Sequence, residues 1–152
     1  MAPMIAKYLR RHLPDDRENL IIVPVPLHWT RLWTRSYNQS ALIGQALARQ
    51  NNLPFVPDLM IRKKRTPLLR GMSGKQRKKI VTNAFAVNPR KTELIKGARI
   101  LLVDDVYTSG ATSNACIKAM KRAGAHWVQL FCWARVLRDH QDGVVGLDAV
   151  ED

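Results

Sequence analysis

The stretch from Ile100 to Thr112 constrains the fold of this chain more than any other. It begins with the apolar run Ile100-Leu101-Leu102-Val103, continues with the adjacent carboxylates Asp104 and Asp105, and ends in a loop of small and hydroxylated residues. Four consecutive branched apolar residues favour a strand that is buried on both faces, as in a parallel sheet. The carboxylates are therefore expected at the carboxyl end of that strand, where open α/β sheets bind ligands.

The loop Thr108-Ser109-Gly110-Ala111-Thr112 is predicted to bind an anion. It leads into a helical pattern that runs from Ala111 to Ala123. The unpaired N–H groups and the dipole at a helix start both favour negative charge, and the hydroxyl side chains add donors. Because the neighbouring carboxylates accept hydrogen bonds from hydroxyl groups, the combination indicates a sugar phosphate as ligand.

Other interpretations of the apolar run and its acids fit less well. A Walker B strand has the same ending but needs a phosphate loop of the form G-x-x-x-x-G-K-[ST], which the segment from Gly71 to Lys75 lacks. In a receiver domain the phosphoacceptor strand is the first strand, so most of the domain follows it. Only 40 residues follow Thr112 here. A purely structural Asp pair would leave the hydroxylated loop unexplained.

The rest of the chain predicts strands and helices around this central strand. Strands are expected at 20–23, 84–87 and 127–134, helices at 3–13, 40–52 and 74–83, turns at 14–19, 88–89 and 93–96, and an interrupted strand at 55–61. We expect a single α/β domain over residues 1–138, with a mostly parallel twisted sheet flanked by helices. Residues 139–152 are acidic and poor in apolar residues, and a loosely ordered tail is expected there.

The charge of the chain favours a polyanionic partner. Its net charge is +13, and five of its 12 acidic residues lie in the tail, so residues 1–138 carry 25 basic against seven acidic residues. A nucleic acid, an anionic surface or a polyphosphorylated metabolite would suit this charge, and so would a merely solubilising surface.

The sequence given shows no membrane or secretion pattern. No apolar run approaches the ~20 residues of a membrane span, and the first residues do not form a signal peptide. We therefore expect a cytoplasmic protein with no membrane partner. Cys116 and Cys132 have no Cys or His at ligand spacing and are expected to be buried, reduced thiols.

The segment after Pro24 joins a rigid loop to an alternation of aromatic and basic residues. Two prolines make the Val25-Pro26 loop rigid and end the strand before it. Single-stranded nucleic acid is bound by such interleaved rings and guanidinium groups, whereas packing of the same rings in a lid or subunit contact is the alternative. The predicted nucleic-acid contacts here are Trp29, Trp33, Tyr37, Asn38 and Gln39.

The segment 62–79 contains nine basic residues and no acidic one. Thr66-Pro67, Gly71 and Gly74 indicate a loop, and Ser73 is predicted to cap a helix that begins at Gly74. The loop could close over phosphates and exclude water, follow a nucleic-acid backbone through Arg62, Lys63 and Lys64, or be a solvated charged surface.

The central stretch resembles the 5-phosphoribosyl-1-pyrophosphate (PRPP) motif of type I phosphoribosyltransferases. The resemblance implies that Asp104 and Asp105 contact the ribose hydroxyls and that residues 108–112 hold the 5′-phosphate. From Val23 to Arg138 the chain further resembles the ComF/GntX-like group of this fold, which is linked with competence and DNA uptake. The residues that carry this second resemblance are Val23 to Leu27, Arg31, Arg35 to Gln39, Arg65 to Pro67, Gly71 to Ser73, Arg77, Ala84 and Phe85.

The resemblance implies a complete PRPP site. The Val25-Pro26-Leu27 turn, with Arg31 and Arg35, would meet pyrophosphate, and the segment 62–79 would be the mobile loop over the reaction centre. Asp104, Asp105, Lys75 and Arg77 would be the catalytic residues, with Mg²⁺ bound through PRPP near the acids. A homodimer, single-stranded DNA and a competence helicase are the further partners expected.

Two functions remain open at this point. One is a phosphoribosyltransferase that displaces pyrophosphate from C1 of PRPP by a base nitrogen. The other is a non-catalytic, PRPP-gated protein that handles DNA or regulates another process. The chain has Leu69 and Ile80 where the ComF/GntX-like group often has Gln and Asn, and the four-cysteine zinc module common in that group is not part of the sequence given.

Overall fold

The structure, a computed structural model, describes Leu13 and residues 17–26, 37–63, 73–107 and 109–135. The strands are β1 Leu20–Pro24, β2 Met60–Arg62, β3 Phe85–Val87, β4 Arg99–Tyr107 and β5 Trp127–Arg135. The helices are α1 Gln39–Asn51, α2 Gly74–Thr82, α3 Thr92–Ile95 and α4 Ala111–Arg122, with a 3₁₀ turn at Pro89–Lys91. The predicted helix at 3–13, apart from Leu13, and the predicted tail at 139–152 lie outside these residues.

A parallel sheet organises the described part of the chain. Its strand order is β1-β4-β5, with Leu20 opposite Arg99 and Arg99 opposite Trp127. A parallel bridge between Ile22 and Phe55 extends the other edge of β1. Strands β2 and β3 form a separate antiparallel pair. The prediction of a mostly parallel α/β domain is confirmed.

Alternation along β1 and β4 divides the core between the two faces of the sheet. On one face, Ile100 and Leu102 pack with α4 and with residues of the β2–β3 pair. On the other face, Leu101 and Val103 pack with Leu47 of α1. The four side chains of residues 100–103 are all buried. Burial on both faces of the sheet explains why this run is continuously apolar. We call these the α4 face and the α1 face.

The three longer helices begin in different ways. The side chain of Asn38 accepts a hydrogen bond from the Ala41 N–H and caps α1. Ser73 caps α2, as expected from the sequence, and the structure adds a reciprocal capping box with Gln76. Helix α4 begins after Gly110, which has a left-handed backbone conformation and brings no side-chain cap. None of the helices in the described ranges is long and apolar enough to cross a membrane.

Three predicted elements differ from the structure. The central strand does not end before the acids but continues to Tyr107, because β5 pairs with it as far as Tyr107 opposite Arg135. The expected strand 55–61 is a single bridge at Phe55 followed by the short β2, since the chain turns at Pro57. The expected turn at 93–96 is mostly the short helix α3.

Candidate sugar-phosphate site at the carboxyl end of β4

The acid pair lies where β4 extends beyond β1. The last pair between the two strands joins Pro24 and Val103, and the Val25 N–H then donates to the Val103 carbonyl over 2.8 Å. From Asp104 onward, β4 pairs with β5. The carboxylates therefore stand at a step in the sheet edge rather than on a loop beyond it.

Asp104 is held inside the protein on the α4 face. Its side chain is buried, and its Oδ2 atom accepts a hydrogen bond of 2.7 Å from the Ser113 hydroxyl. Its Oδ1 atom accepts from the Asp105 N–H over 3.0 Å. Burial raises the pKa of Asp104, and the Asp105 charge adds to this, whereas the Ser113 hydrogen bond lowers it.

Asp105 is more accessible than its neighbour. It is half-buried, and its Oδ1 atom accepts from the Val106 N–H over 2.9 Å. Its backbone N–H is shared between Asp104 and the hydroxyl of Ser40, which lies 3.1 Å away in the first turn of α1. No side chain or backbone group of the described residues donates to Oδ2 of Asp105. This oxygen therefore has an acceptor position without a donor among the described residues.

The loop before α4 has the geometry of an anion site. Gly110 has φ 69° and ψ 2°, and it is buried under the ring of Tyr107. Among the described residues, the only partner of the Ala111 N–H is the Ser109 hydroxyl, at a long 3.5 Å. A helix start without a side-chain cap leaves N–H donors for an anion. Ser109, Ala111 and the half-buried Thr112 are in place for this role, and Thr108 lies outside the described residues.

The predicted pyrophosphate loop is described only in part. The carbonyl of the buried Val25 accepts a hydrogen bond of 3.2 Å from the Asn38 amide, and its N–H is bonded to Val103. Since Pro26 has no N–H, these two residues bring no backbone donor to a pyrophosphate. Their predicted contacts, and those of Leu27, Arg31 and Arg35, stay predictions; the last three residues lie outside the described ranges.

Of the basic segment 62–79, the structure describes the end of β2, residue 63 and the part from residue 73 onward, which contains α2. Lys75 is exposed and forms no ion pair with a described residue; the side chains of Arg77 and Lys78 lie outside the described part. The Arg62 guanidinium lies 5.2 Å from the centre of the Phe85 ring, and burial lowers the Arg62 pKa. Lys63 is exposed. The structure therefore does not join Lys75 to the acid pair.

The predicted nucleic-acid contacts, too, are described only in part. Tyr37 is exposed, whereas both polar atoms of the Asn38 side chain serve α1 and the Val25 carbonyl. Gln39 is the first residue of α1. Trp29, Trp33 and Lys64 lie outside the described residues, so their contact with nucleic acid stays a prediction.

Two free thiols lie near the acid pair. Cys116 of α4 is buried and Cys132 of β5, which stands opposite Asp104, is half-buried. Burial raises the pKa of each thiol to about 12, and the charge of Asp104 adds to this. Neither thiol is therefore a nucleophile near neutral pH.

The sequence reasoning missed two buried serines, Ser40 and Ser113. Each is a polar residue at helical spacing from buried ones, Ser40 with Gly44, Leu47 and Ala48, and Ser113 with Cys116 and Met120. A hydroxyl on the apolar side of a helix requires a partner inside the protein. That pattern could have revealed both residues, although not the atoms that they contact.

The acid pair can contribute to a magnesium site but not form one alone. No cluster of three or more His, Cys, Asp or Glu side chains in the described ranges could hold a metal ion. Mg²⁺ is commonly bound by one or two carboxylates together with substrate phosphates. Asp105, with its accessible oxygen, fits that arrangement, and it is the residue that would hold the ion beside a bound PRPP.

Comparisons with known proteins relate this chain to one domain family. Residues 38–143 match the family model described as phosphoribosyl transferase domain. Competence protein F of Haemophilus influenzae is 39% identical over 114 residues, which cover 75% of this chain and 49% of that protein. The DNA utilization protein YhgH of Escherichia coli is 35% identical over 126 residues, 82% of this chain and 51% of that protein. The chain thus spans about half the length of these curated relatives.

A solved structure supports the fold independently of sequence. The glutamine PRPP amidotransferase of Bacillus subtilis superposes with a TM-score of 0.55 over 87% of this chain and 26% of that chain. The two sequences are 17% identical. A similarity of this kind establishes the fold and leaves the ligand to be argued from the site.

Proposed function

Because this chain belongs to the phosphoribosyl transferase domain family, among its ComF-like members, we propose that it binds PRPP with Mg²⁺ at the carboxyl end of β4. The observation that carries the proposal is the acid pair beside an uncapped helix start. Asp104 and Asp105 would accept hydrogen bonds from the ribose hydroxyls, and the loop of residues 108–112 would hold the 5′-phosphate.

The reaction proposed for this site is transfer of the phosphoribosyl group. A base nitrogen forms a bond to C1 as the bond between C1 and the pyrophosphate oxygen breaks. Pyrophosphate leaves with that electron pair, and the proton of the nitrogen passes to solvent. Fixing the ribose and the phosphate places C1 in line with both groups, which is a large source of rate enhancement. Mg²⁺ would neutralise charge on the pyrophosphate. Lys75 and Arg77, with Arg31 and Arg35, are the proposed cationic partners of the leaving group.

Calorimetric titration with PRPP and Mg²⁺ tests the binding. The wild type should bind, and the double variant Asp104→Asn with Asp105→Asn should bind at least ~100-fold more weakly, because hydrogen bonds to charged groups contribute about 1.5–3 kcal/mol each. Asp58→Asn is the matched control, since Asp58 is an exposed acid paired with Lys91. Equal affinity in the double variant would refute the site assignment.

Turnover needs a separate measurement. Pyrophosphate release should follow when the protein is mixed with PRPP, Mg²⁺ and a panel of purine and pyrimidine bases. Release with one base identifies the acceptor. Binding of PRPP without release in the presence of any base would instead favour a non-catalytic function.

A basic surface favours a second function, the PRPP-gated handling of single-stranded DNA in natural transformation. Helices α2 and α4 pack against each other, and neither contains an acidic residue. Among the side chains that the structure describes, the exposed basic ones are Lys75, Lys79, Lys118, Lys121 and Arg122. We propose that this surface, which we call the α2–α4 basic surface, contacts a nucleic-acid backbone. The names of the two relatives, which concern competence and DNA utilization, are consistent with that role.

Salt dependence tests the second function. The affinity for a labelled single-stranded oligonucleotide should fall steeply between 50 and 200 mM salt, since each neutralised phosphate adds about 0.7 to the logarithmic slope. The double variant Lys79→Gln with Lys118→Gln should lower that slope by about 1.4. Arg49→Gln removes an exposed charge from α1 and should leave the slope unchanged. Affinity that is absent or insensitive to salt would contradict DNA handling.

A further inference from the structure

We propose that Tyr107 is a positioning residue for the loop before α4. Its ring, held at the end of the central strand, fixes Gly110 and so keeps the N–H donors of that loop in the arrangement that binds an anion. The inference rests on the proposed ribose 5-phosphate site. It goes beyond that site because it gives a function to a residue that lies between the acid pair and the loop and belongs to neither.

The ring of Tyr107 is anchored in the sheet. Tyr107 is the last residue of β4, and it pairs with Arg135, the last residue of β5. Its side chain is half-buried, and no described residue forms a hydrogen bond with its hydroxyl group. The strand pairing and van der Waals contact therefore hold the ring in place, rather than a polar bond.

The far end of this ring lies against Gly110, three residues along the chain. A Cβ atom added to Gly110 would lie 2.6 Å from Cζ and 2.8 Å from Cε2 of Tyr107 and would collide with the hydroxyl. Gly110 is buried, whereas its neighbours Ser109 and Ala111 are exposed. The ring thus covers the loop at Gly110 and leaves Ser109 and Ala111 accessible to a ligand.

Gly110 connects this contact to the donors of the helix start. Its carbonyl accepts a hydrogen bond of 2.8 Å from the Asn114 N–H of α4, and its backbone leads directly to the Ala111 N–H. Glycine has more conformational freedom than any other residue, so the ring supplies a restraint that the missing Cβ does not. Donors that are already ordered bind an anion more tightly, because less freedom is lost on binding.

Two substitutions of Tyr107 separate the ring from its hydroxyl. Tyr107→Phe keeps the ring against Gly110, so the affinities for inorganic phosphate and ribose 5-phosphate should stay within about twofold of the wild type. Tyr107→Leu removes the ring, and both affinities should fall about fivefold because the loop must then be ordered on binding. Calorimetric titration measures both affinities. Equal losses in Tyr107→Phe and Tyr107→Leu would overturn the proposal, since the ring would not be the group responsible.

Phe55 provides the matched control, because its ring also lies against a glycine. A Cβ atom added to Gly44 of α1 would lie 3.0 Å from Cε2 of Phe55, on the α1 face of the sheet. Phe55→Leu should lower the free energy of unfolding at least as much as Tyr107→Leu and leave phosphate affinity unchanged. A loss of phosphate affinity as large as in Tyr107→Leu would show general destabilisation and would overturn the proposal.

A ligand-free measurement keeps this inference distinct from the proposed function. Amide hydrogen exchange at Asn114 reports on its bond to the Gly110 carbonyl. It should be at least about fivefold faster in Tyr107→Leu and unchanged in Tyr107→Phe, and exchange at Ala119, later in α4, should be the same in both variants and the wild type. If the wild type binds neither PRPP nor ribose 5-phosphate, the proposed function fails, and faster exchange at Asn114 still supports the positioning. Exchange at Asn114 that is unaffected by loss of the ring would overturn the positioning, even if PRPP binds.

Discussion

Helices α2 and α4 are packed neighbours with opposite kinds of N-terminus. At α2 the Ser73 hydroxyl and the Gln76 side chain satisfy donors of the first turn reciprocally. At α4 the preceding residue is the left-handed Gly110, and no side chain caps the helix. The first turns of both helices lack acidic residues. The N–H donors at the start of α2 are therefore satisfied by its own side chains, whereas the start of α4 has donors left for an anion.

The residues around the two helix starts also differ, and they too favour a ligand at α4. The start of α4 lies beside the acid pair and above the buried Ser113 and Cys116, whereas Ser73 and Lys75 at the start of α2 are exposed. A ligand with phosphate and hydroxyl groups therefore has complementary partners at α4 only. Loss of a serine side chain should therefore lower stability at the start of α2 and ligand binding at the start of α4.

Substitution of Gly110 should have the largest effect. Ala at this position must adopt a φ of 69°, and its Cβ would collide with the Tyr107 hydroxyl and lie 2.6 Å from the Cζ atom of that ring. The left-handed conformation costs about 1–2 kcal/mol, and the collision adds about 1–3 kcal/mol as in overpacked cores. Urea unfolding should report this loss, and phosphate affinity should fall at least ~10-fold because the loop must shift.

Gly97 provides the matched control for that substitution. It has the same φ of 69°, and a Cβ added there would have no atom within 4 Å. Gly97→Ala should therefore cost only the conformational ~1–2 kcal/mol and leave phosphate binding intact. Gly110→Ala combined with Tyr107→Ala should recover part of the lost binding. Equal effects of Gly97→Ala and Gly110→Ala would show that the contact with Tyr107 is irrelevant.

Replacing either of the two serines that precede the helices should have smaller effects, on stability at α2 and on phosphate affinity at α4. Ser73→Ala removes the capping box and should lower stability by about 1 kcal/mol without changing phosphate affinity. Ser109→Ala removes only a long contact to the Ala111 N–H, so stability should hardly change while phosphate affinity falls several-fold. Urea unfolding and phosphate titration of both variants check this. The same response from both would remove the distinction between the two helix starts.

The buried thiol of Cys116 in α4 should show the smallest effect, on the pH dependence of stability. Burial raises the pKa of Cys116 from its ordinary value of 9.0 to about 12. The unfolded thiol therefore ionises first, and stability is complete below pH ~9 and falls as the pH rises toward 12. Cys116→Ala should flatten the decline in the urea midpoint between pH 8 and 10.5. An identical decline in that variant would place its cause elsewhere.

Local patterns were enough to predict the elements that bear the site. The apolar runs of β1 and β5 and the helical spacing of α1 and α4 each gave bounds within one or two residues of the structure. Ser73 was predicted as a cap because capping depends on residues three positions apart. The end of β4 was not predictable in this way, since polar residues in a strand resemble a loop until the partner, here β5, is known.

The different hydrogen-bond partners of the two acids could not be predicted for the same reason. Asp104 and Asp105 are identical in type and adjacent, and the contacts that distinguish them come from other parts of the chain. Ser40 is 65 positions away from Asp105. Alternation in a strand does predict that two adjacent side chains face opposite sides, but it does not reveal which side is filled.

The most direct test of the proposed ribose 5-phosphate site is an amide NMR spectrum of the protein titrated with PRPP and Mg²⁺. We expect the largest shifts at Asp105 and at Ser109 to Ser113, at the end of β4 and the start of α4. The amides of Lys75 and Gln76 at the capped start of α2 should move less. Dominant shifts at α2, with the α4 amides unmoved, would contradict the proposed site.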